Sequence, residues 1–189
     1  MRQLTFAALA ALALSVAAPA VAGELAGVTM DEKTTVGDQS LVLNGMALRS
    51  KAIFKVYVAG LYLPKKETSW QKVLSSDTSR KLVMHWVRSV GTDSICEAWN
   101  DALEANVANP SAQLTSDFET LCKAMEDAKT GDRYVFTYVP GEGTTIEVKG
   151  KKKATIEGKE LADALFSSWI GEKPGPGEDF RADLMGGGR

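Results

Sequence analysis

The chain has 189 residues, 22 basic and 24 acidic side chains, a formal charge of −2 and 44% hydrophobic residues. The length suits one domain, and near-neutral charge excludes a general electrostatic attraction to nucleic acid. One histidine and two cysteines leave little material for metal or redox chemistry.

The N-terminus reads as a removable secretory signal. Arg2 supplies a positive start, Leu4 to Ala18 is uncharged and mostly apolar, and Ala20-Val21-Ala22 offers small residues where a signal peptidase reads. A bilayer-spanning helix needs about 20 predominantly apolar residues, so this shorter run predicts cleavage after Ala22 rather than a retained anchor. Residues 1–22 are then the signal and 23–189 a single soluble domain, periplasmic or secreted. The mature part carries a balance of −3 once Arg2 is gone. It is long enough to bury about two-thirds of its unfolded surface.

In chain order, Glu24 to Met30 reads as a first strand and Ser40 to Leu43 as a second. Asn44-Gly45 reads as a turn, and Met46 to Lys51 continues extended. Ile53 to Leu63, rich in Val, Tyr, Phe and Leu with only Lys55 charged, reads as a central strand stopped by Pro64. Thr68 to Ser75 is a short amphipathic helix. Lys81 to Arg88 is a strand with Leu82, Met84 and Trp86 on one face and Val83, His85 and Val87 on the other. A helix capped at Thr92 or Asp93 runs to about Val107, with Ile95, Ala98, Trp99, Ala102 and Leu103 at helical spacing. A second starts at Thr115 or Ser116, with Ser116 and Glu119 as a capping box, and is closed by Gly131. Strands Arg133 to Val139 and Thr144 to Val148 form a hairpin, and Ala154 to Glu157 extends it. The run Lys149 to Lys153 reads as a solvated turn. Gly158 to Ile170 is a helix with Leu161, Leu165, Phe166 and Trp169 inward. After the Pro-Gly segment 173–177, a last helical turn spans Glu178 to Met185, and the glycine tail is expected to be disordered. Helices that cluster rather than alternate with strands predict an α+β fold: a largely antiparallel sheet with helices gathered on one face.

Nucleophilic and metal chemistry find no support. His85 sits mid-strand between apolar neighbours, as a structural histidine does, and no nucleophile-base-acid set surrounds it. His85, Cys96 and Cys122 lack metal-type spacing, and there is no phosphate-binding or dinucleotide glycine loop. Cys96 and Cys122 both fall in helical patterns. An oxidising compartment permits a disulfide between them, and two buried free thiols are the other reading.

One constellation remains. Arg49 stands beside the most apolar strand, Tyr57 and Tyr62 lie within that strand, and Ser167 and Ser168 interrupt the apolar face of the last long helix beside Trp169. A few polar groups on an apolar wall describe a pocket for an apolar ligand with one anionic or phenolic end, which Arg49 would hold by paired hydrogen bonds. The plain alternative makes Arg49 a surface residue at a strand end.

Leu43-Asn44-Gly45-Met46-Ala47-Leu48-Arg49 and the following Phe54-Lys55-Val56-Tyr57-Val58-Ala59-Gly60-Leu61-Tyr62-Leu63 resemble the Gly-x-x-x-Arg turn and the strand of the chalcone isomerase-like superfamily. Ser168-Trp169-Ile170-Gly171-Glu172-Lys173-Pro174 resembles that family's second landmark. The likeness runs from Leu41 to Gly186 and is greatest for the bacterial exported branch. It implies an open-faced β-sandwich: a large antiparallel sheet, a layer of helices on one face, and a ligand cleft between them, with no cofactor. In the plant enzymes of this family the cleft closes a chalcone to a flavanone; in fatty-acid-binding relatives the arginine holds a carboxylate. The resemblance carries the family arginine onto Arg49, the strand hydroxyl onto Tyr57 and a second hydroxyl onto Ser168. Asn100 approximates the helix asparagine, while the helix tyrosine has no counterpart between Thr92 and Val107.

Three functions are thus in view. The first is non-catalytic binding of a small amphipathic molecule, fatty acid or phenolic, at Arg49, Tyr57, Ser168 and Asn100. The second is a cofactor-free intramolecular lyase using Arg49, Tyr57 and Ser168. The third is a structural or interaction protein of the cell envelope. The absent helix tyrosine favours binding over catalysis.

Overall fold

The computed structural model describes residues 21–187. The expected signal, Arg2 and the apolar run Leu4 to Ala18, lies outside the described residues. The strands are β1 (Val21–Leu25), β2 (Val28–Asp31), β3 (Lys33–Val36), β4 (Gln39–Lys51), β5 (Phe54–Leu63), β6 (Arg80–Trp86), β7 (Arg133–Val139), β8 (Gly143–Val148) and β9 (Lys151–Ile156). The helices are α1 (Trp70–Ser75), α2 (Thr92–Asn106), α3 (Ala112–Ala124), α4 (Lys159–Ile170) and α5 (Glu178–Ala182), followed by a wider turn over Asp183–Gly187. Strands β3 to β9 form one seven-stranded antiparallel sheet in sequence order, and β1-β2 is a separate hairpin.

Strand β5 explains the layering. Alternate residues of a strand face opposite sides, and β5 is apolar on both. Tyr57, Ala59, Leu61 and Leu63 join the main core under the helices. Val58 and Tyr62 join a smaller core on the outer face with Val28, Met30, Leu41, Leu43 and Val83. The β1-β2 hairpin covers that outer patch, so helices occupy one face and a two-stranded flap part of the other. Gly60 permits the flap's approach, because a Cβ there would stand 2.2 Å from the Met30 sulfur.

Several expectations are corrected. The single strand Glu24 to Met30 is a hairpin, turned at Ala26-Gly27 with φ of 52° and 78°, the left-handed pair that a two-residue hairpin needs. Strand β3 escaped sequence reading because its pattern, Lys-Thr-Thr-Val, is mostly polar at the sheet edge. Helix α3 begins at Ala112, not Thr115: Ser111, just after Pro110, caps it by accepting from the Leu114 amide at 3.0 Å. It ends at Ala124, before Gly131. Helix α2 is capped in trans, by the Asp127 carboxylate accepting from both the amide and the hydroxyl of Thr92 at 2.9 Å. Lys149-Gly150 makes the β8-β9 turn, but Lys151–Lys153 belong to β9 and Lys149 pairs with Glu126 at 3.1 Å. Cys96 and Cys122 are half-buried free thiols, not a bridge. Burial first, then the neighbouring Cys96, pushes the Cys122 thiol up to about 12.

The correction with most consequence is at Asn44-Gly45. These residues make a bulge inside one long strand: Leu43 pairs with Tyr62 and Gly45 with Leu61, leaving Asn44 unpaired. The 2%-exposed Asn44 side chain is spent on backbone. Its Nδ2 donates to the carbonyls of Leu184 (2.8 Å) and Glu67 (3.0 Å), and its Oδ1 accepts from the Glu67 amide (2.8 Å). Gly45 has no room for a side chain, since a Cβ would lie 2.1 Å from the Asp183 carbonyl oxygen. The C-terminal turn is therefore packed on β4 through the buried Leu184 and Met185 rather than disordered as far as Gly187; residues 188 and 189 lie outside the described residues.

A second buried device joins sheet to helix. Arg80, 0% exposed, pairs with Asp163 of α4, donates to the Val73 carbonyl at 3.0 Å and stacks between Tyr138 and Phe166. Asp163 also receives Lys159 at 2.5 Å.

Asn44→Ala removes three hydrogen bonds and orphans a buried carbonyl, and should cost on the order of 3 kcal/mol. Urea unfolding should show a lower midpoint at unchanged slope. All four tyrosines, Tyr57, Tyr62, Tyr134 and Tyr138, are pushed up to about 12, chiefly by burial. The folded state thus binds these protons more tightly than the unfolded state. The stability they add is complete below about pH 10 and is lost as pH rises towards 12. In an alkaline titration, tyrosinate absorbance should rise together with loss of near-ultraviolet circular dichroism, not before it.

Candidate functional site

The bulge decides where Arg49 points. Before it, Leu41 and Leu43 face the outer core; after it, the equally odd-numbered Ala47 faces the helices. Arg49 shares that phase and pairs across the strands with the inward Tyr57. A one-residue slip turns every later side chain over, and here it brings a guanidinium beneath the helical layer.

Arg49 is half-buried and lines a cleft of about 640 Å³ between sheet and helices. Its apolar walls are Val56, Met84 and Trp86 from the sheet, Ile95, Trp99 and Ala102 from α2, and Trp169 from α4. The ring of Trp99 packs edge-on against Trp169 at 5.1 Å, and Trp86 against Tyr57 at 5.3 Å. At the rim stand Lys51, Arg88 and Lys173 with Arg49, against Glu97 and Asp101 on α2. The volume and the few polar groups on an aromatic wall match small-molecule sites.

Arg49 Nη1 donates to the Pro176 carbonyl at 2.9 Å, its one hydrogen bond among the described residues. The segment Lys173–Gly177 is thereby drawn over one end of the cleft, leaving Nη2 for an anion. Tyr57 Oη accepts from Trp169 Nε1 at 3.2 Å; no acceptor for its own hydrogen is present among the described residues. Burial raises Tyr57 to about 12, against the opposing pulls of the Trp169 hydrogen bond and the Arg49 charge. It is a neutral hydrogen-bond donor at physiological pH, not a base. Ser168, 3% exposed, also lines the cleft. Its Oγ, like the Nε1 atoms of the cleft residues Trp86 and Trp99, is buried without a hydrogen-bond partner. Buried donors of this kind are uncommon and call for an explanation.

Arg49, Tyr57 and Ser168 are therefore brought together, from β4, β5 and α4. Asn100 is not: it is exposed on α2 and absent from the cleft lining, one helical step past Trp99 and so turned away from the wall. Tyr62 belongs to the outer face, where its hydroxyl donates to the Asp31 carbonyl at 3.0 Å. Ser167 donates to the Ala164 carbonyl within its own helix. His85 lies across from Arg133 on β7, on the face away from the cleft; burial and then the Arg133 charge hold its imidazole below the usual histidine range. Sequence reading missed Trp86 and Trp99 as cleft walls, although their alternation and helical spacing had already placed both on inward faces. The rim cations Lys51, Arg88 and Lys173 carried no signal in the sequence.

Among curated proteins, none matches this sequence. Among solved structures, the chain superimposes on a fatty-acid binding protein from Arabidopsis thaliana with a TM-score of 0.66 at 17% identity, covering 84% of this chain and 92% of that one. At that identity the likeness establishes the fold, a curled antiparallel sheet with helices on one face. The profile of the chalcone isomerase-like family spans residues 22–186, and with sheet, helical layer and intervening cleft all in place, the chain belongs to the chalcone isomerase-like family.

Proposed function

We propose that this protein binds, without transforming it, a small amphipathic anion of the fatty-acid class, its carboxylate on Arg49 and its chain along the aromatic wall. The observation that carries this reading is a half-buried guanidinium, with one nitrogen committed to Pro176 and another uncommitted, at the end of an apolar cleft. Charge-assisted hydrogen bonds gain strength where water is excluded. Tyr57 and Ser168 supply further donors to the same end. A solved protein of the same fold is a fatty-acid binding protein, which supports this ligand class.

Part of the same proposal is that the protein is exported, with residues 1–22 removed. Cleavage after Ala22 would leave Gly23, Glu24 and Leu25 paired with Met30, Thr29 and Val28, sacrificing only the Val21-Asp31 end of the hairpin.

Intramolecular lyase activity is the second reading, favoured by the meeting of Arg49, Tyr57 and Ser168 in one cleft. Against it stand the exposed Asn100 and the lack of any tyrosine on α2.

Because Trp86, Trp99 and Trp169 line the cleft, long-chain fatty acid should change the intrinsic fluorescence saturably. Arg49→Gln should weaken binding by about 10- to 100-fold through loss of a charged hydrogen bond, and Arg49→Lys by less. The bound carboxylate has its pKa depressed by Arg49. Affinity should therefore be flat near neutrality and fall as pH drops below about 4. A wild-type protein that takes up no fatty acid overturns the proposal. Chalcone absorbance should decay no faster with the protein than without it; an acceleration abolished by Arg49→Ala would install the lyase reading instead.

A further inference from the structure

The large apolar side chains exposed among the described residues sit together. Ile53 is 88% and Phe54 49% exposed, both at the β4-β5 hairpin tip. A single exposed apolar residue is ordinary. This pair is not single, and its surroundings are uniformly basic. Lys51 and Lys55 flank it and are exposed, and Arg88, also exposed, holds its guanidinium 4.0 Å from the centre of the Phe54 ring. The segment 49–56 contains no acidic residue, in a chain whose overall charge is −2. The acidic groups that line the same cleft, Glu97 and Asp101, belong to α2 and not to the hairpin.

Position adds the second argument. Lys51, Phe54 and Arg88 also line the cleft beside Arg49, so whatever the tip touches faces the cleft mouth. Two apolar side chains are far too few for a stable protein interface, which takes roughly 20–30 residues a side. They do suit a lipid surface, where a short apolar wedge enters the headgroup boundary and lysine or arginine beside it meets anionic phosphates. The negative charge elsewhere on the chain would orient the molecule tip-first.

We propose that the Lys51–Lys55 tip, with Arg88, docks this protein on an anionic lipid bilayer, holding the cleft mouth against the surface. That the docking serves uptake of an acyl ligand rests on the fatty-acid reading above; the docking itself does not.

The test is co-sedimentation with vesicles of phosphatidylcholine alone and of phosphatidylcholine mixed with phosphatidylglycerol, without added fatty acid. The protein is used as isolated from cells, its N-terminus read by mass spectrometry, so that wild type and variants carry or lack the Leu4 to Ala18 run together. Wild type should bind the mixed vesicles more tightly than the neutral ones, and salt should release it. Ile53→Asp and Lys55→Glu should each weaken binding to mixed vesicles, the first by roughly tenfold or more. Neither residue lines the cleft, so both variants should respond to fatty acid like wild type. Equal binding by wild type and Ile53→Asp overturns the proposal, as does no vesicle binding by wild type. Light scattering that shows a wild-type dimer dispersed by Ile53→Asp, with no vesicle binding, would reassign the tip to a second copy of the chain. A protein that docks yet takes up no fatty acid keeps this inference and ends the fatty-acid reading; one that takes up fatty acid without docking does the reverse.

Discussion

The extra residue in β4 is the constraint on which the cleft depends. An antiparallel strand has only two faces, and its leading half is committed to the outer core by Leu41 and Leu43. Without a slip, Arg49 would emerge on that same outer face. The bulge at Asn44 supplies the slip, and the Asn44 amide holds it by bonding Leu184 at the C-terminus and Glu67 before α1. Three distant pieces of chain thus meet at one buried amide, and the facing of the site arginine follows from it. Gly45 is tied to the same arrangement, because the C-terminal backbone occupies the space a side chain would need.

Aromatic rings then frame the cleft. Four large rings, Tyr57, Trp86, Trp99 and Trp169, pack edge-on rather than flat, as ring quadrupoles prefer. The space between α2 and the sheet remains open beside these rings, with Trp86, Trp99 and Trp169 on its walls. The polar cost of such a wall is visible in the buried indole and hydroxyl groups that lack partners. Arg80 is enclosed by a carboxylate, a carbonyl and two rings, with only its Nε left without a partner. The two arginines differ in what they face: Arg80 is committed through both terminal nitrogens and holds α4 to the sheet, and Arg49 keeps a free edge towards the cleft.

Much of the fold was legible from period and punctuation. The apolar run of β5, the strict alternation of β6 and the helical spacing of α2 and α4 each matched the observed element within a residue or two. Errors fell where local signals were read without their partners. Asn-Gly reads as a turn from its backbone preferences, and here the same two residues bulge because Leu184 and Glu67 supply bonds from far along the chain. Ser116-Glu119 has the form of a capping box, but Ser111 follows a proline and caps first. The β1-β2 hairpin reads as a single strand in sequence because nothing in Ala26 advertises a left-handed φ. The glycine tail looked unstructured, yet Leu184 and Met185 anchor its start.

By itself the sequence determined the α+β class, the inward stripes of β6, α2 and α4, and the family to which Arg49, Tyr57 and Ser168 point, because these depend on local periodicity and short motifs. Tertiary structure decided the rest: that Arg49 faces inward, that Tyr62 and Asn100 do not, that Trp86 and Trp99 frame an opening, and that an apolar tip ringed by cations stands at its mouth. The physical reason is register. One unpaired residue reverses the face of everything after it, and whether a residue goes unpaired is settled by contacts made across the whole length of the chain.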